Sequence, residues 1–260
     1  MLIKFTFLPK SIDHNQFDDC PEDYKKYVKR ILAIQAFAER CGACEMGAQL
    51  RLAPDPITRK SFARVVYDEA NHAHMLYKIL EKIGVNESEA LELAKSKNSS
   101  GKSTESLDGI LAVGNNENDW IDIVLNNMFL DRAGSHMVVN FSNSSFKPWA
   151  DACEKIYIDE QMHKAFGFKQ LKHYIEKHNI DEELIRKIRQ WYVHALNFFG
   201  PPNVKSQELL NFYGIKRQSN DELRCAFIKE VLCVMDELGL RKIIDYELAN
   251  KYPFQLSVLT

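Results

Sequence analysis

Two short segments repeat a pattern suited to holding metal: Asp68-Glu69-Ala70-Asn71-His72 and Asp159-Glu160-Gln161-Met162-His163. Each contains Glu-x-x-His, which sets a carboxylate and an imidazole one turn apart on one helix face. One such motif is weak, because a single histidine on an apolar face is commonly a hydrogen-bonded core residue. The neighbouring residues strengthen it. Phe62 and Val65 precede Glu69 and His72, and Leu76, Ile79 and Ile83 follow them; Ile156 precedes Glu160 and His163, and Gly167 and Leu171 follow. Spacings of three and four place both pairs on buried stripes.

Two further acids sit on stripes of the same kind. Glu39 lies 30 residues before Glu69, with Leu32, Gln35, Ala36, Gly42, Ala43 and Met46 around it. Asp131 lies 29 residues before Glu160, among Trp120, Val124, Met128, Ser135 and Val138. Each helical hairpin therefore brings one acid against one Glu-x-x-His pair. Four buried carboxylates repel one another, and burying even one unpaired carboxylate is costly. No Lys or Arg lies on these stripes to neutralise them. Two divalent cations would balance four negative charges and give both imidazoles a partner, which is the ligand set of di-iron and di-manganese carboxylate bundles. Oxygen and imidazole donors without thiolate favour iron or manganese. The predicted ligands of two iron ions are Glu39, Glu69, His72, Asp131, Glu160 and His163, with manganese or a mixed iron–manganese pair as alternatives. A metal-free buried polar network is the rival. Glu45 competes with Glu39, but the matched hairpin spacing favours Glu39. Asp68 and Asp159 are candidates to hydrogen-bond the outer nitrogens of the ligand histidines, or are simply charges on the helix flanks.

The elements that must position these residues are helical. The chain predicts helices over about 21–52, 57–84, 119–142 and 148–178, with a short piece after Asn86 and two or three more over 181–240. Pro54 and Pro56 end the first helix, and Gly84 suits the end of the second. Residues 98–118 concentrate Ser, Asn and Gly and form the linker candidate. Strand-type alternation is scarce. The prediction is an all-α, ferritin-like four-helix bundle with a long crossover between its second and third helices. A single domain over 1–260 is expected, with its bundle core at about 21–178 and a helical C-terminal extension at about 181–260.

Composition narrows the function. The chain has 260 residues, 45% hydrophobic and 27% charged, which allows a sizeable core. Its net charge of −2 lacks the basic footprint of a nucleic-acid binder. No uncharged stretch is long enough to span a membrane, and the N-terminal residues carry no continuous apolar block, so a cytoplasmic protein is expected. Its six cysteines read as thiols rather than a disulfide framework.

The ligand spacing resembles that of the ferritin-like bacterial di-iron oxygenases. Within them the chain is similar to the phenylacetic acid catabolic protein family, over about residues 25–240. The stretches that carry this are YDEANHAHMLY, LDRAGSHMVVNFSNSSFKPWA, IYIDEQMHKAFGF, FFGPPN and GIKRQSNDELRCAF with the later LGL. The resemblance implies a catalytic chain, since all six ligands are kept. It implies dioxygen activation at a di-iron site fed by an electron-donating reductase. A hydroxylated or epoxidised product would form from a small organic molecule or CoA thioester. Glu69 and Glu160 would bridge or chelate, Glu39 and Asp131 would be terminal, and each histidine would hold one iron. A sister subunit or a homodimer is expected. The alternatives are a non-catalytic structural subunit and a ferritin-like iron-oxidising protein. A ribonucleotide-reductase-like radical role would call for a tyrosine where Leu76 stands.

Other motifs carry less. Gly101-Lys102-Ser103 lacks the first glycine of a phosphate loop and the strand before it. Cys41-Gly42-Ala43-Cys44 lies inside a helix, away from the N-terminus that would stabilise a thiolate. Lys216 and Arg217 with Arg224 could meet a phosphate or a partner chain, but read rather as a solvated basic face. Small residues near ligand level, namely Gly42, Ala43, Gly134, Ser135 and Gly167, mark either a substrate cavity or close helix packing.

Overall fold

The computed structural model describes residues 6–95, 119–202 and 206–245, so the predicted linker at 98–118 and Gly101-Lys102-Ser103 lie outside the described residues. The four long helices form as read: α2 (Glu22–Ala48), α3 (Pro56–Lys82), α5 (Trp120–Phe141) and α6 (Lys147–Lys177). A 3-10 turn (Leu50–Leu52) ends the first of them early, ahead of Pro54. Asp55 accepts from the backbone N–H of Ile57 and Thr58 and starts α3, with Pro56 in its first turn. Gly84, at φ +72°, takes the left-handed conformation that ends the same helix. Asp119 caps α5 in the same way as Asp55 caps α3.

Helix α2 packs along α3 and α5 along α6, and α3 meets α6 to close the bundle. Among the described residues there are no strands, only one parallel bridge between Ile12 and Phe146. This is the all-α, ferritin-like architecture expected. Two short helices complete the front of the chain: α1 (His14–Phe17) and α4 (Glu87–Lys95). Sequence periodicity does not reach α1, which is only four residues long and is held by an Asp13–Gln16 capping box.

The C-terminal segment supplies α7 (Glu182–Phe198), α8 (Gln207–Phe212) and α9 (Asn220–Glu237). Helices α7 and α9 pack against α5, where Phe129, Tyr192, Phe199 and Phe227 form a contiguous aromatic core. The extension is therefore built into the bundle. Gly167 allows the close α5–α6 approach, because a Cβ there would lie 2.6 Å from the backbone of Asn127 and Met128. No described helix is long and apolar enough to cross a membrane.

The basic cluster corrects one expectation. Lys216 and Arg224 are buried rather than solvated. Arg224 donates to the carbonyls of Leu196 and Gly200, ending α7, while Lys216 bonds Asn220. Periodicity does not show the Arg224 pairing, because its acceptors are carbonyls at a helix end far away in sequence.

Candidate metal centre

Glu39, Glu69, His72 and Glu160 converge: one donor atom from each lies within 4.8 Å of the others, and all four residues are buried. They come from α2, α3 and α6, each on the inward stripe that periodicity indicates. His163 joins through Nδ1, 3.2 Å from Glu69 Oε1 and 3.9 Å from Glu160 Oε1. Asp131 stands outside the tight group. It is half-buried on α5 and lines the adjoining cavity with Glu160. Glu45 also lines that cavity, nearly two turns from Glu39, and lies outside the converging group.

The two histidines are held crosswise. His72 of α3 places Nδ1 3.4 Å from Glu39 Oε2 and Nε2 3.2 Å from Asp159 Oδ2 of α6. His163 of α6 places Nε2 3.6 Å from Asp68 Oδ2 of α3. Arg64 in turn donates to Asp68 at 2.9 Å. Each acid that precedes a Glu-x-x-His glutamate thus faces the histidine of the opposite helix. Both imidazoles turn Nδ1 toward the carboxylates and Nε2 outward.

Glu39 is fixed from its own helix. Trp149 Nε1, which can only donate, bonds Gln35 Oε1 at 2.8 Å. That leaves the Gln35 amide nitrogen to donate to Glu39 Oε1 at 3.3 Å. Gly42 clears room on the opposite side, since a Cβ there would meet Glu69 Oε2 at 3.0 Å.

Electrostatics follow from burial and crowding. Burial and the Glu39 charge push the Glu69 carboxyl well above its ordinary value. Burial, Glu69 and Asp131 do the same to Glu160. Burial also acts upward on Glu39, but nearby His72 outweighs it and the net direction is down. Burial opposes the charge on His72, but Glu39 raises its pKa to about 9. The cluster therefore holds protons where cations would replace them. Glu160 Oε2, His72 Nδ1 and His163 Nδ1 are buried with no hydrogen-bond partner, an arrangement that native interiors rarely tolerate. An all-oxygen and imidazole donor set with inward-facing orphaned atoms fits a pair of divalent metal ions.

A cavity of about 180 Å³ opens between α2 and α5 and reaches Glu39, Glu69, Asp131 and Glu160. Ile31, Ile34, Leu130, Met137, Phe141 and Phe198 make its walls largely apolar. Both histidines lie away from this opening, on the α3–α6 side. Burial pushes the Cys41 thiol up to about 11, opposite to what a redox-active Cys-x-x-Cys needs. Sequence reasoning missed Arg132 as a buried residue. It follows Asp131 and pairs with Glu230 of α9.

The family model described as phenylacetic acid catabolic protein matches residues 13–243. The chain is 25% identical over 230 residues to one of the subunits of 1,2-phenylacetyl-CoA epoxidase from Escherichia coli (strain K12), covering 86% of this chain and 71% of that one. A solved structure from Bacillus halodurans, assigned to the class I ribonucleotide reductases, shares the fold at a TM-score of 0.66 and 13% identity. That likeness covers 90% of this chain and 86% of the other.

Proposed function

The chain belongs to the phenylacetic acid catabolic protein family, and on that premise we propose that it is a non-haem di-iron oxygenase acting on a small organic group, carried free or as a CoA thioester. The observation that carries this reading is the buried convergence of Glu39, Glu69, His72 and Glu160 at the floor of an apolar cavity. In this reading Glu39, Glu69, His72, Asp131, Glu160 and His163 hold two iron ions. The metal pair, when bound, supplies reductive activation of dioxygen. Asp68 and Asp159 keep the Nδ1 atoms of His163 and His72 turned toward the metals. Gln35 holds Glu39 in place from within the cavity. The apolar walls exclude water and seat the substrate against the Asp131 and Glu160 side. Electrons come from a partner reductase, and the family relationship favours a multi-component assembly in the cytoplasm. The bundle and its C-terminal extension act as one domain.

The first test is metal content after expression with sufficient iron. About two irons per chain, lost in Glu69→Ala, is the expected result for a site whose ligands must all be deprotonated and assembled. Less than about 0.2 metal per chain after anaerobic reconstitution with iron(II) or manganese(II) would overturn the reading and leave a structural subunit. Loaded enzyme is then given dioxygen, a chemical reductant and phenylacetyl-CoA. Electron uptake matched by oxygenated product separates an oxygenase from an iron-handling protein.

A further inference from the structure

The small residues at ligand level divide by cause. Gly167 is required by helix contact, and Gly42 by the approach of Glu69. Gly134 has neither reason. A Cβ built there meets nothing within 4 Å. It lies in the middle of α5, where glycine is the poorest helix former after proline. It also stands one turn beyond Asp131, on the cavity wall between Leu130 and Met137. A residue that weakens its helix and relieves no contact is explained by the space that it leaves.

We propose that Gly134 is a specificity-determining residue: its missing side chain reserves the volume beside Asp131 for the apolar part of the substrate. A dry apolar cavity of about 150 Å³ holds one benzene, so a cavity of about 180 Å³ takes a single ring or an alkyl group of similar size. The assignment to a reacting substrate rests on the di-iron oxygenase reading, whereas the reserved volume does not.

The test uses the full chain with benzene as the probe, titrated calorimetrically with and without iron. The parent chain should bind benzene. Gly134→Ala should raise Tm by about 2–4 °C, because alanine favours the helix and fills empty space. The same change should weaken benzene by about tenfold, as expected for one carbon added to an apolar pocket. Gly134→Leu should abolish detectable binding. In loaded enzyme, Gly134→Ala should shift kcat/KM toward shorter acyl groups while metal content stays at the parent level. A Gly134→Ala chain less stable than the parent, or a folded Gly134→Leu chain that binds benzene normally, would overturn the proposal, as would a parent chain that binds none. If Gly134→Leu does not fold, Gly134→Ala decides the matter alone. A chain that binds benzene but cannot be loaded with metal would retire the oxygenase reading and leave the volume assignment standing.

Discussion

Each candidate ligand histidine is faced by an acid one position before a candidate ligand glutamate. Asp159 lies next to Glu160, yet its carboxylate reaches His72 on the other hairpin. A carboxylate at Nε2 favours the tautomer with its proton there and leaves the Nδ1 lone pair facing Glu39 and Glu69. The charge is only partly screened, since about a quarter of the Asp159 side chain is exposed. Asp159→Asn keeps the shape, removes the charge and lets an amide N–H face the ring. Iron(II) affinity should fall by about 10–100-fold, the usual cost of losing such a partner. Stability without metal should fall by about 1 kcal/mol, the usual cost of weakening one partly exposed charged hydrogen bond. Competitive titration against a chelator reads the first quantity and urea unfolding the second; equal affinity in both chains would show that the ring is oriented by packing alone.

At the scale of helices, how closely α5 and α6 approach sets where Asp131 stands relative to the cluster. Gly167 lies one turn beyond His163, against the backbone of Asn127 and Met128. A methyl group there has no flexible neighbour to displace, so the helices themselves must part. Gly167→Ala should cost about 1–3 kcal/mol by urea unfolding, despite the better helix propensity of alanine. It should also weaken metal binding, because Asp131 and Glu160 would separate. The opposite sign expected at Gly134 makes the two glycines a paired control. This contrast was only half legible in the sequence. Helical periodicity is local, so it placed the four long helices and the inward stripes that carry Glu39, Glu69, His72, Glu160 and His163, whereas Asp131 is only half-buried. Whether a small residue faces a backbone or an opening depends on the neighbouring helix, and periodicity is silent there. Asp68 and Asp159 are legible as partners for the outer histidine nitrogens, but not that each meets the histidine of the other hairpin. Periodicity is silent again on Arg224, which is buried against the end of α7 rather than by any pattern of its own.

Across the whole molecule, one carboxylate links the C-terminal extension to the α5–α6 hairpin. Glu230 of α9 meets Arg132 and His136 of α5 and Lys164 of α6. Arg132 follows Asp131 in the chain and Lys164 follows His163, so this carboxylate ties the two helices together directly behind two candidate ligands. Arg132 is buried, and without Glu230 its guanidinium would keep, among the described residues, only the carbonyl of Met128 and a sulfur contact. Burial alone would raise the Glu230 carboxyl, but His136, Arg132 and Lys164 outweigh it and hold it down at about 2. A carboxyl whose folded value is depressed stabilises the fold above its ordinary value near 4.5, and that contribution fades as pH falls from there toward 2. Glu230→Gln should therefore cost about 2 kcal/mol at pH 7, scaled down for partial exposure, and distinctly less at pH 3. Urea unfolding at the two pH values measures this, and a pH-independent difference would assign the effect to shape rather than charge. The double variant Arg132→Met with Glu230→Met removes both charges and keeps the bulk. If the pair serves only to neutralise a buried cation, stability should return close to the parent's. If it also sets the spacing behind Asp131 and His163, iron affinity should stay low after stability has recovered, which would make the extension part of the metal site's support.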